Sequence, residues 1–433
     1  MTTDTRKNNI LCIYTQRFPY GKGETFFETE LPFLSEAFEK IYILPETKRL
    51  GYEEDSRDDY YNRQRFMSLP ANCTVIDTES KFSSLLGGRD ILRKLGFKSF
   101  VVKFSSFLPL LFSVVSKDFV SFRENPREFV FTLFKLYLMA EESVETIEAI
   151  DGEEILHYSY MMYERATILS ILNRMGVVEK FIARGHGNDI YRENYGAYSA
   201  RYRGFELARI ERLFTVSEHM KRYISAEYPQ YDKKITTSYL GVGEHRRNPP
   251  FAGRYRIVTV SNVIPLKRVD RMLGILERID IGLEWIHFGS GPLFEELKKK
   301  ADELMGRKEN IKILLPGRIS NSDLIEFYGR EHVSIFMNLS LTEGLPVSIM
   351  EALSVGIPII ATNVGGTAES IPDKSFLLGK DFDDEEAVGY IYDILNMDEK
   401  DYLGLRERSF ALYRERFSAE RNYAKFVREV SNL

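Results

Sequence analysis

Cysteine is scarce in this chain. Cys12 and Cys73 are the only two in 433 residues. That excludes a disulfide scaffold or a thiolate zinc site and fits a reducing cytoplasm, the expected location. Histidine is also sparse, with six residues and no helically spaced pair, so metal catalysis finds no ligand set and no metal or resident cofactor is expected. Positive charge is not in excess: 59 Lys and Arg against 64 Asp and Glu give a net charge of −5. A phosphate backbone would meet no general basic surface, which excludes nucleic acid as the main partner. No uninterrupted apolar run reaches the roughly 18 residues that span a bilayer, and the polar opening MTTDTRKNNI does not read as a signal peptide. Short repeats and low-complexity tracts are missing too.

What is present describes a globular α/β protein. Hydrophobic residues make up 44% and charged residues 28%, and the length favours two domains over one core. Strand-like runs alternate with helical patterns, the sequence form of parallel sheets. The first series is Ile10–Tyr14, Ile41–Leu44, Thr74–Ile76, Ile155–Tyr158, Phe181–Arg184, Leu213–Val216 and Ile235–Tyr239. LGVGEHRRNPPFAG, at 240–253, then breaks the pattern and reads as a linker. The second series is Ile257–Val260, Trp285–Phe288, Ile311–Leu314, Val333–Phe336 and Pro358–Ala361, followed by helices near Glu385–Leu395 and Ser418–Val430. Two Rossmann-like domains would produce this order, with ligands at the carboxyl ends of the strands.

The densest chemistry lies in SLTEGLPVSIMEALSVGIPIIATNVGGTAESI, residues 340–371. Glu343 precedes a predicted helix, and Glu351 is the single charge within it. At helical spacing Glu351 shares a side with Val347 and Val355, so its carboxylate is set against apolar neighbours and needs a hydrogen-bond partner. Pro346 suits the first helical position, which leaves the amides of Gly344 and Leu345 at a helix N-terminus, a natural phosphate site. Glu351 lies about 7 Å further along the axis. A nucleotide diphosphate sugar laid along this helix would meet Glu343 with its sugar, the amides with its phosphates and Glu351 with its ribose. A capping Glu beside a core Glu bonded to backbone is the plainer alternative.

This stretch resembles the C-terminal signature of glycosyltransferase family 4, retaining enzymes of the GT-B fold that use nucleotide sugars. The paired glutamates, spaced E-x7-E, fall on Glu343 and Glu351, and the small-residue turn on Gly356, Pro358, Gly365 and Gly366. The resemblance implies two Rossmann-like domains facing across a cleft, with a C-terminal helix crossing back to the first. The boundaries expected are 1–243 for the acceptor domain, 244–415 for the donor domain and 416–433 for the returning helix.

Other constellations gain meaning from that resemblance. After the first strand, Gly21 and Gly23 allow a tight turn, and Thr25 with Glu28 forms a capping box. The residues alone read equally as an ordinary β–α turn; the family places a glycine loop here beside the diphosphate. His186 follows a predicted strand between Gly185 and Gly187. A lone histidine is more often structural, but the family's histidine at this place faces the transferred sugar. Asp189 is expected to orient the loop. In VTVSNVIPLKRVDRML, residues 258–273, Lys267 matches the family's diphosphate lysine with Arg268 beside it, while Asn262 stands where an arginine is usual. The turns HFGSGP and LPGRIS follow, and the resemblance lays Arg318 and Ile319 of the second against the nucleotide base.

The segment from Arg89 to Ala140 differs in texture, interleaving Phe97, Phe100, Phe104, Phe107, Phe112, Phe119, Phe122, Phe129, Phe131 and Phe134 with lysines and arginines. It fits either a helical face packed into the first domain or, within residues 89–135, a surface lying on an anionic membrane.

The expected function is transfer of a sugar, with retention, from a nucleotide diphosphate donor to the hydroxyl of a sugar or lipid-linked saccharide. Surface polysaccharide assembly in bacteria is the setting that the resemblance implies, with a peripheral position at the inner face of the cell membrane as an alternative to free solution. A nucleotide-sugar epimerase or hydrolase and a non-catalytic nucleotide-sugar binder are the competing readings.

Overall fold

The computed structural model describes residues 9–20, 24–46, 63–76, 80–81, 88–150, 152, 154–192 and 200–433. The chain divides into two compact units. The first comprises Met1–Val216, Met220–Ser238 and Phe426–Leu433, the second Ser217–His219 and Tyr239–Lys425.

The first unit holds a sheet of strands β1 (Asn9–Thr15), β2 (Lys40–Pro45), β3 (Cys73–Val75), β4 (Glu154–Ser159), β5 (Lys180–Gly185), β6 (Arg212–Thr215) and β7 (Ile235–Thr237), in the order β3-β2-β1-β4-β5-β6-β7. Every pairing is parallel. Because helices cover both faces of such a sheet, its strands are apolar throughout rather than alternating, as NILCIYT of β1 shows. The end of the chain belongs to this core: Phe426 packs edge-on to Phe214 at 4.9 Å and lies 4.2 Å under the guanidinium of the fully buried Arg184.

The second unit is built on β8 (Tyr255–Val260), β9 (Leu283–Phe288), β10 (Ile311–Gly317), β11 (Ile335–Asn338), β12 (Ile359–Thr362) and β13 (Leu377–Leu378), in the parallel order β10-β9-β8-β11-β12-β13. All twelve strands expected from the sequence are present with small shifts of their ends. β13, at two residues, is too short to leave a pattern. The helix Glu399–Leu412, between the two expected helices, also escaped the sequence reading. Both sheets reverse their winding next to the first strand, between β1 and β4 and between β8 and β11. At such switch points the neighbouring strand-end loops diverge and leave a crevice.

Three local expectations are corrected. The helix starts at Val347, with Pro346 as its N-cap, because Pro346 keeps an extended ψ of 108°. At the first helix, Thr25–Ala37, the cap position is Glu24 rather than Thr25. The carboxylate of Glu24 accepts the amides of Gln16, Arg17 and Phe18, and Glu28 pairs with Arg65. Finally, the helix Phe97–Val115 has 19 residues and a mean hydropathy of 1.5, enough by length and composition to cross a membrane. Its interspersed lysines and serines hid this in the sequence.

Candidate functional site

In the second unit the switch point brings together residues far apart in sequence. β8 ends at Val260, and the loop after it closes in a short 3-10 turn, Pro265–Lys267. β11 ends at Asn338, and its loop runs through Ser340 to Glu343. The amide of Leu341 donates to the carbonyl of Leu266 at 2.8 Å, locking the two loops together. Lys267 Nζ thereby reaches Glu343 Oε1 at 2.5 Å across 76 residues. The same oxygen accepts from Ser340 Oγ at 2.6 Å and Asn338 Nδ2 at 3.3 Å. One carboxylate oxygen is thus fixed by three donors, which sets the side chain's direction while Lys267 keeps further N–H donors.

The backbone below is equally constrained. Gly365 has φ +52°, and a Cβ there would fall 1.8 Å from the carbonyl oxygen of Glu343; one on Gly366 would lie 2.3 Å from that of Gly344. Only glycine admits this approach, so the paired glycines after β12 seat the Glu343 loop. Among the described residues the amides of Gly344 and Leu345 donate to no protein acceptor. They sit directly ahead of the helix Val347–Ser354, at its positive end.

Glu351 is buried in that helix and accepts from Asn321 Nδ2 at 2.5 Å. Burial pushes its carboxyl up to about 7, against the lowering effect of Asn321. Burial raises the phenol of Tyr328, with the Glu351 charge adding to it, and among the described residues its buried hydroxyl has no hydrogen-bond partner. The partner of Glu351 is therefore a side chain, not the backbone.

Arg318 and Asn262 meet. The exposed guanidinium donates to Asn262 Oδ1 at 3.1 Å, which brings the turn after β10 to the turn after β8. Ile319 is half-buried in the same turn. Arg268, next to Lys267, has a left-handed backbone (φ +48°), and its guanidinium donates to the carbonyls of Leu339 at 2.7 Å and Lys380 at 2.8 Å. That arginine braces the loops.

In the first unit, Gly21 lies outside the described residues. His186 sits directly after β5, between the rings of Phe26 at 5.1 Å and Tyr160 at 4.9 Å. Its Nε2 is 2.9 Å from the Tyr160 carbonyl, which can only accept, so that nitrogen carries the proton and Nδ1 the lone pair. Burial, with Arg184 nearby, holds its pKa down to about 3. Asp189 organises this loop: its carboxylate accepts the amides of Met162, His186 and Gly187 at 2.8, 2.8 and 2.9 Å. Asn321, Asn338 and Ser340 carried no signal in the sequence, being single polar residues at strand or helix ends. Among the described residues no three His, Cys, Asp or Glu side chains cluster as a metal site.

Residues 243–409 match the family model "Glycosyl transferases group 1". Over its full length the structure is similar to Anabaena Alr3699/HepE solved with UDP and glucose, at a TM-score of 0.66 and 13% identity, covering 99% of this chain and 100% of that one. It is also similar to the lipopolysaccharide outer core galactosyltransferase WaaB, at a TM-score of 0.63 and 13% identity, covering 98% and 100%. The fold is that of the GT-B glycosyltransferases. Among curated sequences, the Escherichia coli O-antigen biosynthesis glycosyltransferase WbnH is 29% identical over 150 residues, 34% of this chain and 40% of that protein. The Vi polysaccharide biosynthesis protein VipC/TviE of Salmonella typhi is 28% identical over 148 residues, 33% and 24% respectively. The chain thus spans between a quarter and two fifths of these relatives' lengths.

Proposed function

We propose that this protein transfers a sugar, with retention of configuration, from a nucleotide diphosphate donor to an acceptor hydroxyl. The observation that carries the reading is the Lys267–Glu343 pair at the switch point of the second sheet, beside two undonated amides at a helix start. In the proposed complex the diphosphate takes the amides of Gly344 and Leu345 and a free N–H of Lys267. The donor sugar's hydroxyls bond to Glu343, and the ribose to Glu351. As the bond from the anomeric carbon to the β-phosphate oxygen breaks, that oxygen gains charge, and these fixed donors stabilise it without reorganising. The acceptor oxygen bonds to the anomeric carbon on the side the phosphate leaves, and its proton passes to the departing phosphate. Glu343 binds and does not become glycosylated, so the two-carboxylate logic of glycosidases is not invoked.

Asn262 removes one cation from the loop after β8, and Arg318 offers another through its bond to Asn262. We assign Arg318 and Ile319 to the nucleotide and the acceptor to the first unit. There His186, neutral at physiological pH, serves as a hydrogen-bonding group and not as a general base. The relatives' names, O-antigen biosynthesis among them, support a saccharide acceptor in envelope assembly.

Screening nucleotide diphosphate sugars by thermal shift should find one that raises Tm, since a ligand at about 100 times its Kd adds about 2.7 kcal/mol. With that donor, Glu343→Ala should abolish transfer and keep the wild-type circular dichroism; unchanged transfer would overturn the assignment. Arg318→Ala should raise the donor KM about tenfold, the worth of one charge-assisted hydrogen bond, and an unchanged KM would remove it from the donor site.

A further inference from the structure

The phenylalanines between residues 97 and 134 divide into two sets. Phe100, Phe104 and Phe107 face inward and meet Phe134 of the helix Pro126–Glu148 at 5.6, 5.4 and 5.1 Å. Lys103 pins the same side to Glu141 at 2.8 Å. The opposite side of the helix Phe97–Val115 is exposed and carries large apolar side chains among Lys98, Ser99, Ser105 and Ser106. Phe97, Val101, Leu108 and Phe112 recur at helical spacing along it with Val102 beside them, and Phe97 and Phe112 are 73% and 71% exposed. The next helix, Phe119–Glu124, adds Phe119 and Val120 at 58% and 65%. A surface helix ordinarily turns a polar face to water. This one turns a row of large apolar side chains to water while its other side is already occupied.

Charge identifies the occupant of the other. Between Asp90 and Arg127 the chain carries seven Lys and Arg against three Asp and Glu, although the whole protein is net negative. One of the three acids, Asp118, is buried and holds the amides of Gly204 and Phe205 at 2.7 and 2.8 Å. Lys94, Lys98, Lys117 and Arg123 are exposed around the apolar row. A second copy docked here by two-fold symmetry would bring the same cations against one another. An anionic bilayer accepts both features: apolar side chains enter the boundary of the acyl region while lysines and arginines meet phosphate headgroups. A bilayer span is not required, because the inward phenylalanines tie the helix to its own unit.

We infer that the helices Phe97–Val115 and Phe119–Glu124 dock the protein flat on an anionic lipid surface. The full-length protein should float with vesicles of phosphatidylcholine containing about a third phosphatidylglycerol and not with phosphatidylcholine alone. Binding should weaken as salt rises from about 0.1 to about 1 M. Val102→Asp and Phe112→Asp change exposed positions, so each should keep the wild-type melting curve and its response to the nucleotide sugar while vesicle binding falls at least about tenfold. Lys98→Glu with Lys117→Glu should reduce binding to anionic vesicles without altering the melt. Failure of the wild-type protein to float, flotation by the Asp variants at the wild-type level, or a dimer dispersed by Phe112→Asp without vesicle binding would overturn the inference. Flotation is read without any transfer reaction, so it stands or falls separately from the proposed activity.

Discussion

Glu343 has little freedom. Three donors converge on one oxygen, and glycines press on its backbone from below. Lys267→Ala should therefore lower kcat about 10²- to 10³-fold, the usual cost of losing a preorganised charge at a leaving group. The double variant with Glu343→Ala should be no worse than the poorer single variant, because the pair acts as one unit; additive losses in steady-state kinetics would separate them. Glu351 makes a prediction in pH. Its folded pKa of about 7 lies above the ordinary carboxyl value of 4.5, so the native state holds the proton more tightly than the unfolded chain. Stability from this group is full below pH 4.5 and is lost as pH rises towards 7, by up to about 3 kcal/mol. Glu351→Gln should flatten that part of the stability curve and raise Tm at pH 8 relative to wild type, in thermal melts across pH, while weakening donor binding. A curve unchanged by the substitution would mean that the carboxyl is not buried as described.

At the scale of elements, the site depends on how loops are seated between strand ends. Gly365→Ala would place a methyl group 1.8 Å from the Glu343 carbonyl oxygen at a positive φ. The left-handed backbone alone costs about 1–2 kcal/mol, and the overlap must displace the loop as well. Urea unfolding should show a loss of at least about 2 kcal/mol, together with a fall in transfer; a change within about 0.5 kcal/mol would mean the turn yields freely. The same dependence explains Arg268. Its sequence position next to Lys267 suggested a phosphate ligand, but its left-handed backbone carries the guanidinium to the carbonyls of Leu339, Ser340 and Lys380, where it fastens the β8 and β11 loops.

Across the whole molecule, the chain's last residues complete the core built by its first two hundred. Phe426 touches Tyr158, Phe214 and Arg184, and Arg184 in turn donates to the Tyr158 hydroxyl at 2.8 Å and pairs with the buried Glu30 at 3.4 Å. Phe426→Ala should destabilise the first unit by about 3–5 kcal/mol, as loss of a buried aromatic does. It would also unseat one wall of a buried ion pair. Chemical denaturation followed by far-ultraviolet circular dichroism should show an earlier transition, while Trp285, the only tryptophan and a core residue of the second unit, reports an unchanged one. Coincident shifts of both signals would mean that the units unfold together.

What the sequence determined by itself was local and periodic. The apolar runs specified twelve parallel strands, because a strand covered on both faces has no solvent side to interrupt it. The spacing of Glu343 and Glu351 about an apolar helix, and the glycine pair behind them, marked a candidate site through chemistry that neighbouring residues carry together. Pairings across long stretches of chain were decided only in three dimensions. Sheet order brought Lys267 to Glu343, Asn321 to Glu351 and Arg318 to Asn262, and no spacing encodes contacts between residues 30 to 76 positions apart. The phenylalanines of residues 97–134 make the same point. Their composition admitted both core and surface, and the inward set meeting Phe134 fixed which side of the helix was left exposed.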